Sequence, residues 1–535
     1  MGSAPPSPSP QGLGAGQAAR APQLSSLAAV QSLASVLRPC YGPLGRQKLL
    51  VPARGASECT GSAAPILQAL RLEHPAARLV RDVAQRQAEQ SGDGAACVVL
   101  LGAALLRESE QLLAEGLARP HLLRGLERAA TECGALLPEL AVRALGPLED
   151  PRWALAATVG PHPPGLATLV AAACGELREP EGDFHPERLT LCGVLGGRPE
   201  ESRLLPGLVL AGRPCGKREA ALNGARVAVF SCFFGPPGTH GQSRARLDNA
   251  AELDAYATAA ERWAERQVGQ LVAAGVTAAV FSGDVDERAV AQADRRGLLV
   301  VQVRAPDAAL LSRTLGVPLL PSLLPVTRPA PCRRVYPQEL GDSSFVVFEL
   351  DAPTLTLLLR GPTDAGLRAS ERAARQGLAA FAQLCGDPRL LPGAGASEMA
   401  LSARLGERGA RAGPPDGPGL LAWARALREL PEALAENAGL EVPGVLAQLR
   451  GAVQAGHLLL GVGADGLIDV ALEEVWEPLA TKAQAFRAAA AVAQQLVAVD
   501  DIVVARQLPA TPPPRSASLD RHKGKGRPRK GPRGR

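Results

Sequence analysis

Apolar residues near the start of the chain recur at the spacing of a helix. In "LSSLAAVQSLASVL", residues 24–37, one stripe holds every third or fourth position, namely Leu27, Val30, Leu33 and Leu37. This period predicts an amphipathic helix. Gly42, Pro43 and Gly45 interrupt the pattern, and such residues end helices. Helical patterns then dominate to about residue 145 and include 98–113 and 122–137.

The middle of the chain alternates between strand and helix patterns. From residue 225 it reads as strand "ARVAVFSC", helix 251–274, strand "TAAVFSG", helix 287–295 and strand "LLVVQV". This βαβαβ order predicts a parallel sheet with helices outside. Short β-like runs precede it in "RLTLCGVLGG" and "LLPGLVLAG", and two more strands follow in "SFVVFEL" and "TLTLLLRG".

Helical patterns return after Gly361 and continue almost to the end of the chain. They include "SERAARQGLAAFAQL", "LAWARALREL" and "AQAFRAAAAVAQQLVAV". "HLLLGVGADGLIDV" interrupts them and predicts a β-hairpin that turns at Asp465-Gly466. The chain is therefore predicted to be an α+β multidomain protein, in which two helical ends pack as one domain and the middle is inserted into it.

Composition narrows the class of protein. The chain has 535 residues, of which 46% are hydrophobic and 21% charged, as in globular proteins with more than one domain. Aromatic residues make up only 3%, so stacking platforms for bases are not expected. The net charge of +5 comes mostly from residues 515–535. The remaining body is near neutral, which argues against a general nucleic-acid binder.

The terminal segments and the cysteines indicate a cytoplasmic protein. The first 22 residues are rich in Pro, Ser, Gly and Ala and contain no apolar signal region. No stretch has the length and apolarity of a membrane span, so no membrane partner is predicted. The ten cysteines form no C-x-x-C pair and are interpreted as buried, reduced thiols. The basic run "RHKGKGRPRKGPRGR" is interpreted as solvated disorder, with a nuclear localisation patch as an alternative.

Two glycine-containing turns of the first helical part are candidate phosphate sites. In "YGPLGRQKLL", Gly42 and Gly45 allow backbone amides to approach an anion, and Lys48 adds a positive charge. In "SGDGAACVVLLGAALL", Asp93 lies between two glycines before an apolar helix. Asp93 is either a plain helix cap or a Mg²⁺ ligand that faces phosphates at the helix N-terminus, and both alternatives remain open at this point.

The second helical part supplies two further candidates. "LPGAGASEMALSARL", residues 391–405, is another glycine-rich turn that leads into a helix. "GLIDVALEEVWEPL" contains Asp469 and Glu477, and one of these acids could bind a ribose hydroxyl. Each signal is weak alone, but a nested fold would bring the two chain ends together at one nucleotide site.

Four segments, in order, resemble one known family. They are "SLASVLRPCYGPLGRQKLL", "SGDGAACVVLLGAALLRESEQLLAEGL", "PGAGASEMALSARL" and "VWEPLATKAQAFRAAAAVAQQLVAVDDIVVA". They resemble the group II chaperonins, the T-complex protein 1 family of the eukaryotic cytosol and its archaeal relatives. "SERAARQGLAAFAQLCGDPRLLPGAGASE" is most similar to the theta subunit, and "LGPLEDPRWAL" to its theta-like paralogue. The resemblance extends from about Leu24 to Arg506.

The resemblance implies a chaperonin fold and a chaperone function. It implies ATP and Mg²⁺ as cofactors, unfolded proteins as clients, other chaperonin subunits as partners in double rings, and a lid protrusion within 234–267. The implied domains are disordered tails (1–22 and 507–535), a helical equatorial domain (23–145 and 403–506), a small intermediate domain (146–206 and 363–402) and an inserted α/β apical domain (207–362).

The site residues that the resemblance implies are only partly typical of the family. Those that fit are Gly42, Pro43, Gly45 and Lys48 in the first loop, Gly92, Asp93 and Gly94 in the second, Gly393 and Gly395 in the third, and Glu477 on the ribose side. Asp93 is the implied Mg²⁺ ligand. Ala95 and Ala96 stand where the family has two threonines, and Ala394 stands where it has a middle glycine that leaves room for the nucleotide.

Two of the three family acids are replaced. Ser62 occupies the position of an aspartate, and Gln376 occupies that of the aspartate that activates the attacking water. A glutamine can orient water but cannot accept its proton, and loss of a general base typically slows a reaction by about 10²–10⁴-fold. The sequence thus predicts a chaperonin-like protein that binds ATP and unfolded protein, with slow or lost hydrolysis. The alternative is a non-catalytic, chaperonin-derived scaffold or interaction protein.

Overall fold

The computed structural model describes residues 21–51, 57–142, 151–159, 165–179, 183–217, 221–236, 249–323, 328–341 and 343–502. The basic tail and residues 237–248 of the expected protrusion lie outside these ranges. In the described part of the chain, none of the helices combines the length and apolarity that a membrane span needs.

Most helices lie in the predicted helical segments. The helices are α1 Ala21–Leu37, α2 Ala63–Ala69, α3 Pro75–Ser91, α4 Ala95–Ala114, α5 Arg119–Leu140, α6 Arg152–Val159, α7 Leu166–Leu177, α8 Ala250–Ala273, α9 Glu287–Arg295, α10 Ala305–Leu315, α11 Asp364–Gly386, α12 Ala396–Ala412, α13 Gly417–Ala426, α14 Glu429–Asn437, α15 Val442–Gln454 and α16 Leu479–Ala498. Of these, α6, α7 and α10 were not predicted.

The strands are short except in the middle of the chain. They are β1 Lys48–Leu50, β2 Glu58–Thr60, β3 Leu189–Leu195, β4 Arg203–Pro206, β5 Leu208–Cys215, β6 Leu222–Phe230, β7 Ala278–Phe281, β8 Leu299–Val303, β9 Ala330–Leu340, β10 Ser343–Glu349, β11 Leu355–Gly361, β12 Leu390–Pro392, β13 Leu460–Val462, β14 Leu467–Asp469 and β15 Trp476–Pro478.

One hydrophobic core joins the two helical ends of the chain. Val30, Leu33 and Leu37 from α1 are buried in the same cluster as Trp423 of α13 and Phe486 of α16. Leu27, the fourth residue of the predicted stripe, is partly buried against that cluster. Because residues from both ends share this cluster, the predicted packing of the chain ends against each other is confirmed. Helix α1 begins at Ala21 rather than at Leu24.

The middle of the chain forms a closed six-stranded barrel. Strands β6, β7 and β8 are parallel neighbours, as the βαβαβ pattern predicts. The remaining neighbours are antiparallel, in the order β10-β5-β8-β7-β6-β9. The prediction of a parallel sheet is therefore correct only for these three strands. Strand β9, Ala330–Leu340, was not predicted, since its charged and proline residues interrupt a strand pattern.

A smaller sheet connects the barrel to the helical body. Strand β11 pairs in parallel with β3 and antiparallel with β4, so "TLTLLLRG" does not belong to the barrel. Helices α6, α7 and α11 share a buried cluster with this sheet. The fold class is thus a mixture of helix and sheet, as predicted. The exact domain limits proposed from the resemblance stay predictions.

Two small antiparallel β-ladders lie within the second helical part of the chain. The predicted hairpin is present as β13 and β14, and the N–H of Gly463 donates to Gly466 O at 2.7 Å. Strands β12 and β15 also pair, although neither was predicted.

All ten cysteines are free. Four of them are buried, but Cys59 is exposed, which corrects the interpretation that every thiol is buried.

Candidate nucleotide site

The first candidate loop is a tight turn held against helix α14. The N–H of Gly45 donates to Gly42 O at 3.1 Å, which closes the turn over Pro43. Gly42 has φ +84°, and a Cβ there would overlap the side chain of Leu434. Glycine is therefore required at this position both by the backbone and by the neighbouring helix. Residues 42–44 are exposed, so an anion has access to the turn.

The second loop turns the chain from α3 into α4. Gly92 ends α3 with φ 73°, and Gly94 precedes α4 with φ 89°. Gly94, not Asp93, is the N-cap residue, and no side chain caps the helix. The exposed Asp93 accepts one hydrogen bond, from the N–H of Gly94 to Oδ1 at 2.6 Å. The plain-cap alternative for Asp93 is therefore wrong.

The N-terminus of α4 presents backbone donors. Within the described residues, no hydrogen bond is formed by the N–H groups of Ala95, Ala96 or Cys97. Free amides at the start of a helix, together with its dipole, favour a bound anion.

Helix α11 approaches the second loop at Gly92, since a Cβ at Gly92 would lie 3.5 Å from Gln376 Cα. Gln376 thus adjoins the loop that contains Asp93.

The third loop lies beside Glu477. Leu391 of β12 is paired with Glu477 of β15, and a Cβ at Gly393 would lie 3.5 Å from Glu477 Cγ. Gly395 then begins α12 with φ 82°. Asp469, the other acid considered for the ribose, instead accepts a hydrogen bond from Ala471 N at 2.9 Å after the hairpin.

Ala394 adopts a conformation that favours glycine. Its φ is 53°, and its carbonyl oxygen accepts a 2.8 Å hydrogen bond from the N–H of Val462. Its methyl group lies against the hairpin, because a Cβ at Gly461 would be 2.6 Å from Ala394 Cβ. The side chain therefore packs onto β13. That Ala394 crowds a nucleotide stays a prediction.

A buried ion cluster joins these loops. Lys482 Nζ lies 2.6 Å from Glu398 Oε1 and 2.5 Å from Glu477 Oε2. The side chains of Lys482 and Glu398 are only 6% and 1% exposed, whereas Glu477 is 37% exposed. Gln87 Nε2 donates to Asp93 O and to Thr481 O, both at 3.3 Å, and so joins the loop of Asp93 to the residue before Lys482. The loops at 92–94 and 393–395 therefore meet at this cluster.

Burial and charge oppose each other in the cluster. Burial lowers the pKa of Lys482, but the carboxylates of Glu398 and Glu477 outweigh it and raise that pKa well above its usual value. Burial raises the pKa of the Glu477 carboxyl, and Lys482 counteracts this effect. Burial also raises the pKa of the Cys97 thiol to about 12, and that of the Tyr41 phenol. Lys482 is thus a cation between two carboxylates, and Cys97 is a neutral thiol.

Ser62 is the N-cap residue of α2 and directly follows the paired strands β1 and β2. Lys48 is paired with Thr60, whose Oγ1 accepts a 3.1 Å hydrogen bond from the N–H of Ser62. Lys48 forms no ion pair with a carboxylate in the described ranges, which leaves its charge available to an anion. Glu58 of β2 forms an ion pair with Arg372 of α11. This contact holds the hairpin against the helix that contains Gln376.

The donor set fits a phosphate-bound magnesium ion. Among the described residues, no group of three or more His, Cys, Asp or Glu side chains is arranged to hold a metal by itself. Mg²⁺ usually takes one or two carboxylates and completes its shell with water and phosphate oxygens. The exposed Asp93 carboxylate beside free backbone amides suits that arrangement, and bound Mg²⁺ would neutralise phosphate charge there.

The glycine loops were predicted from the sequence, but two members of the buried ion cluster beside them were not. Glu398 and Lys482 were not predicted, although both lie inside segments that were singled out. A lysine within the apolar and alanine-rich start of α16 was the available signal, since a buried lysine needs an acidic partner.

The chain is similar in sequence to proteins of one family over most of its length. The sequence model of the TCP-1/cpn60 chaperonin family matches residues 33–507. T-complex protein 1 subunit theta-like 2 of Homo sapiens is 52% identical over 494 residues, which cover 91% of this chain and 89% of that protein. T-complex protein 1 subunit theta of Mus musculus is 28% identical over 506 residues, which cover 91% and 92%. The subunit theta of Caenorhabditis elegans is 29% identical over 506 residues, which cover 92% of each.

Proposed function

Because this chain belongs to the TCP-1/cpn60 chaperonin family, we propose that it is a chaperonin-like molecular chaperone. It binds ATP with Mg²⁺ and binds unfolded protein, and its hydrolysis of ATP is slow or lost. Its partners are unfolded clients and other chaperonin subunits in a ring, and its location is the cytoplasm. Residues 207–362 form the client-binding apical domain in this proposal, and the chain ends form the ATP-binding domain.

The observation that supports nucleotide binding is the meeting of three loops from opposite chain ends. The free amides of α4 receive the phosphates, and Asp93 holds the metal. Glu477, fixed by Lys482, faces the ribose side. Ala95 and Ala96 provide only backbone donors, so phosphate receives fewer hydrogen bonds and binds more weakly than with hydroxyl side chains.

Binding is tested by titrating the purified full-length chain with a fluorescent ATP analogue, with and without Mg²⁺. We expect binding that Mg²⁺ strengthens, and Asp93→Asn should remove the Mg²⁺ effect because an amide is a weaker ligand for a hard cation. Asp284→Asn, in the exposed loop that follows strand β7, is the matched control. If the wild-type chain shows no binding with Mg²⁺, the proposed function is wrong.

Slow hydrolysis follows from the two replaced acids. Gln376 lies beside the Gly92 turn. The resemblance implies a water-activating aspartate at this position, and the amide of glutamine cannot accept a proton. We expect the double variant Ser62→Asp with Gln376→Asp to hydrolyse ATP at least about 10²-fold faster than the wild-type chain. A wild-type rate that the double variant does not exceed would contradict this explanation.

The same two replacements favour a second candidate, a non-catalytic scaffold or interaction protein. Size-exclusion chromatography with light scattering separates the two. A ring-sized particle that suppresses aggregation of an unfolded client supports the chaperone. A monomer that binds folded partners and leaves client aggregation unchanged supports the scaffold.

A further inference from the structure

Helix α14, Glu429–Asn437, supports the first nucleotide loop although none of its residues is part of the candidate site. Its last residue, Asn437, makes two hydrogen bonds across the chain. Asn437 Nδ2 donates to Arg38 O at 2.8 Å and to Tyr41 O at 2.8 Å. Both N–H bonds of the amide are therefore used by the segment that leads into Gly42.

The two acceptors bracket the turn that precedes the loop. Arg38 O also accepts from the N–H of Tyr41 at 3.2 Å, which closes the short 3₁₀ turn Arg38–Cys40. Tyr41 O belongs to the peptide bond that joins Tyr41 to Gly42. A single planar amide thus fixes both ends of the turn, and it sets the direction in which the chain enters Gly42.

The same helix holds this segment by charge and by packing. Arg38 forms ion pairs with Glu429, which is only 7% exposed, and with Glu436 at 2.7 Å. Leu434 abuts Gly42, and a Cβ at Gly395 would lie 3.7 Å from Leu434 Cδ1. Helix α14 therefore touches both the first and the third glycine turns, which lie far apart in sequence.

We propose that Asn437 is a positioning residue for nucleotide binding. It holds the Tyr41–Gly45 turn in a fixed position relative to the Gly393–Gly395 turn, so that both face one nucleotide. This inference rests on the proposed ATP binding and assigns a role to a residue outside the site. Because the exposed tip of a glycine turn must leave its backbone free to meet phosphate, contacts at the base of the turn, such as those of Asn437, hold its position.

The test compares Asn437→Ala with Asn249→Ala in the full-length chain. Asn249 caps α8, where its Oδ1 accepts from Glu252 N at 2.8 Å, so its loss is the matched removal of asparagine hydrogen bonds at a distant place. We expect Asn437→Ala to raise the Kd for the fluorescent ATP analogue with Mg²⁺ about tenfold. Asn249→Ala should leave that Kd unchanged although it lowers the melting temperature.

Hydrogen exchange provides a local readout that general destabilisation would not reproduce. Amides of residues 40–46 should exchange faster in Asn437→Ala but not in Asn249→Ala. If Asn437→Ala does not fold, Asn437→Asp replaces it, because an ionised carboxylate of equal size cannot donate to either carbonyl. A folded variant at position 437 that binds with wild-type affinity overturns the role of Asn437 alone. Failure of the wild-type chain to bind overturns the proposed function and this inference together.

Discussion

Replacement of Lys482 by methionine should strongly destabilise the helical body. Lys482 is 6% exposed and is the shared partner of Glu398 and Glu477. Methionine has a similar length but no charge, so two neighbouring carboxylates would face each other. Glu398, which is 1% exposed, would be left as a buried charge without its cation. Removal of one partner of a buried ion pair typically costs about 3–5 kcal/mol.

We expect the loss to lie near the lower end of that range, about 3 kcal/mol. Glu477 is 37% exposed and can regain water, so only Glu398 stays uncompensated. The matched control is Arg411→Met, which removes a surface pair with Glu407 whose side chains are 81% and 68% exposed. Such pairs contribute about 0.5 kcal/mol or less.

Native-state hydrogen exchange of the α16 amides is the appropriate assay. A chain with several separate cores need not unfold as one unit, and exchange measures the local free energy of opening. The double variant Lys482→Met with Glu398→Gln should recover part of the loss, because the uncompensated charge has been removed. Equal effects of Lys482→Met and Arg411→Met would refute the reasoning.

The pH dependence gives a second check on the same variant. Burial raises the pKa of Glu477, and Lys482 counteracts this effect; in Lys482→Met that opposition is lost, so the folded-state pKa of Glu477 would lie further above its unfolded value. Stability from such a group is present below the unfolded pKa and is lost as pH rises through the folded pKa. The gap between wild type and variant should therefore widen from pH 5 to pH 8. A gap that narrows over this interval would contradict the assignment.

Three further changes test other contacts. Ala394→Gly should stabilise the protein by about 0.5 kcal/mol in thermal unfolding, since glycine adopts the φ of 53° without strain. The control Ala396→Gly, inside α12, should instead destabilise the protein. Iodoacetamide at pH 8 should label the exposed Cys59 in the native state but not the buried Cys97, whose pKa is raised to about 12; mass spectrometry that finds Cys97 labelled first would be the opposite result. Glu58→Gln should speed proteolysis of the β1–β2 hairpin by breaking its ion pair with α11, and an unchanged cleavage rate would show that the pair is not needed.

Local signals in the sequence were sufficient for most elements and for the glycine turns. The helix predicted around 287–295 is observed as α9, Glu287–Arg295, because helical periodicity is a short-range property. Asp93 was identified in the same way, from two glycines before an apolar helix. Its role as a plain cap was excluded only by the observed backbone, in which Gly94 is the N-cap.

Long-range pairing was decided by the tertiary structure. Strands β10 and β11 have similar apolar patterns, yet one closes the barrel and the other joins β3, since register and packing select the neighbour. The ion cluster also depends on the tertiary structure, because Lys482 and Glu398 are 84 residues apart in sequence. The glycine turns that are candidates for phosphate contact could be identified from the sequence alone. Only the tertiary structure determined which charges and which helix, α14, hold those turns together, because these contacts join residues that no local pattern relates.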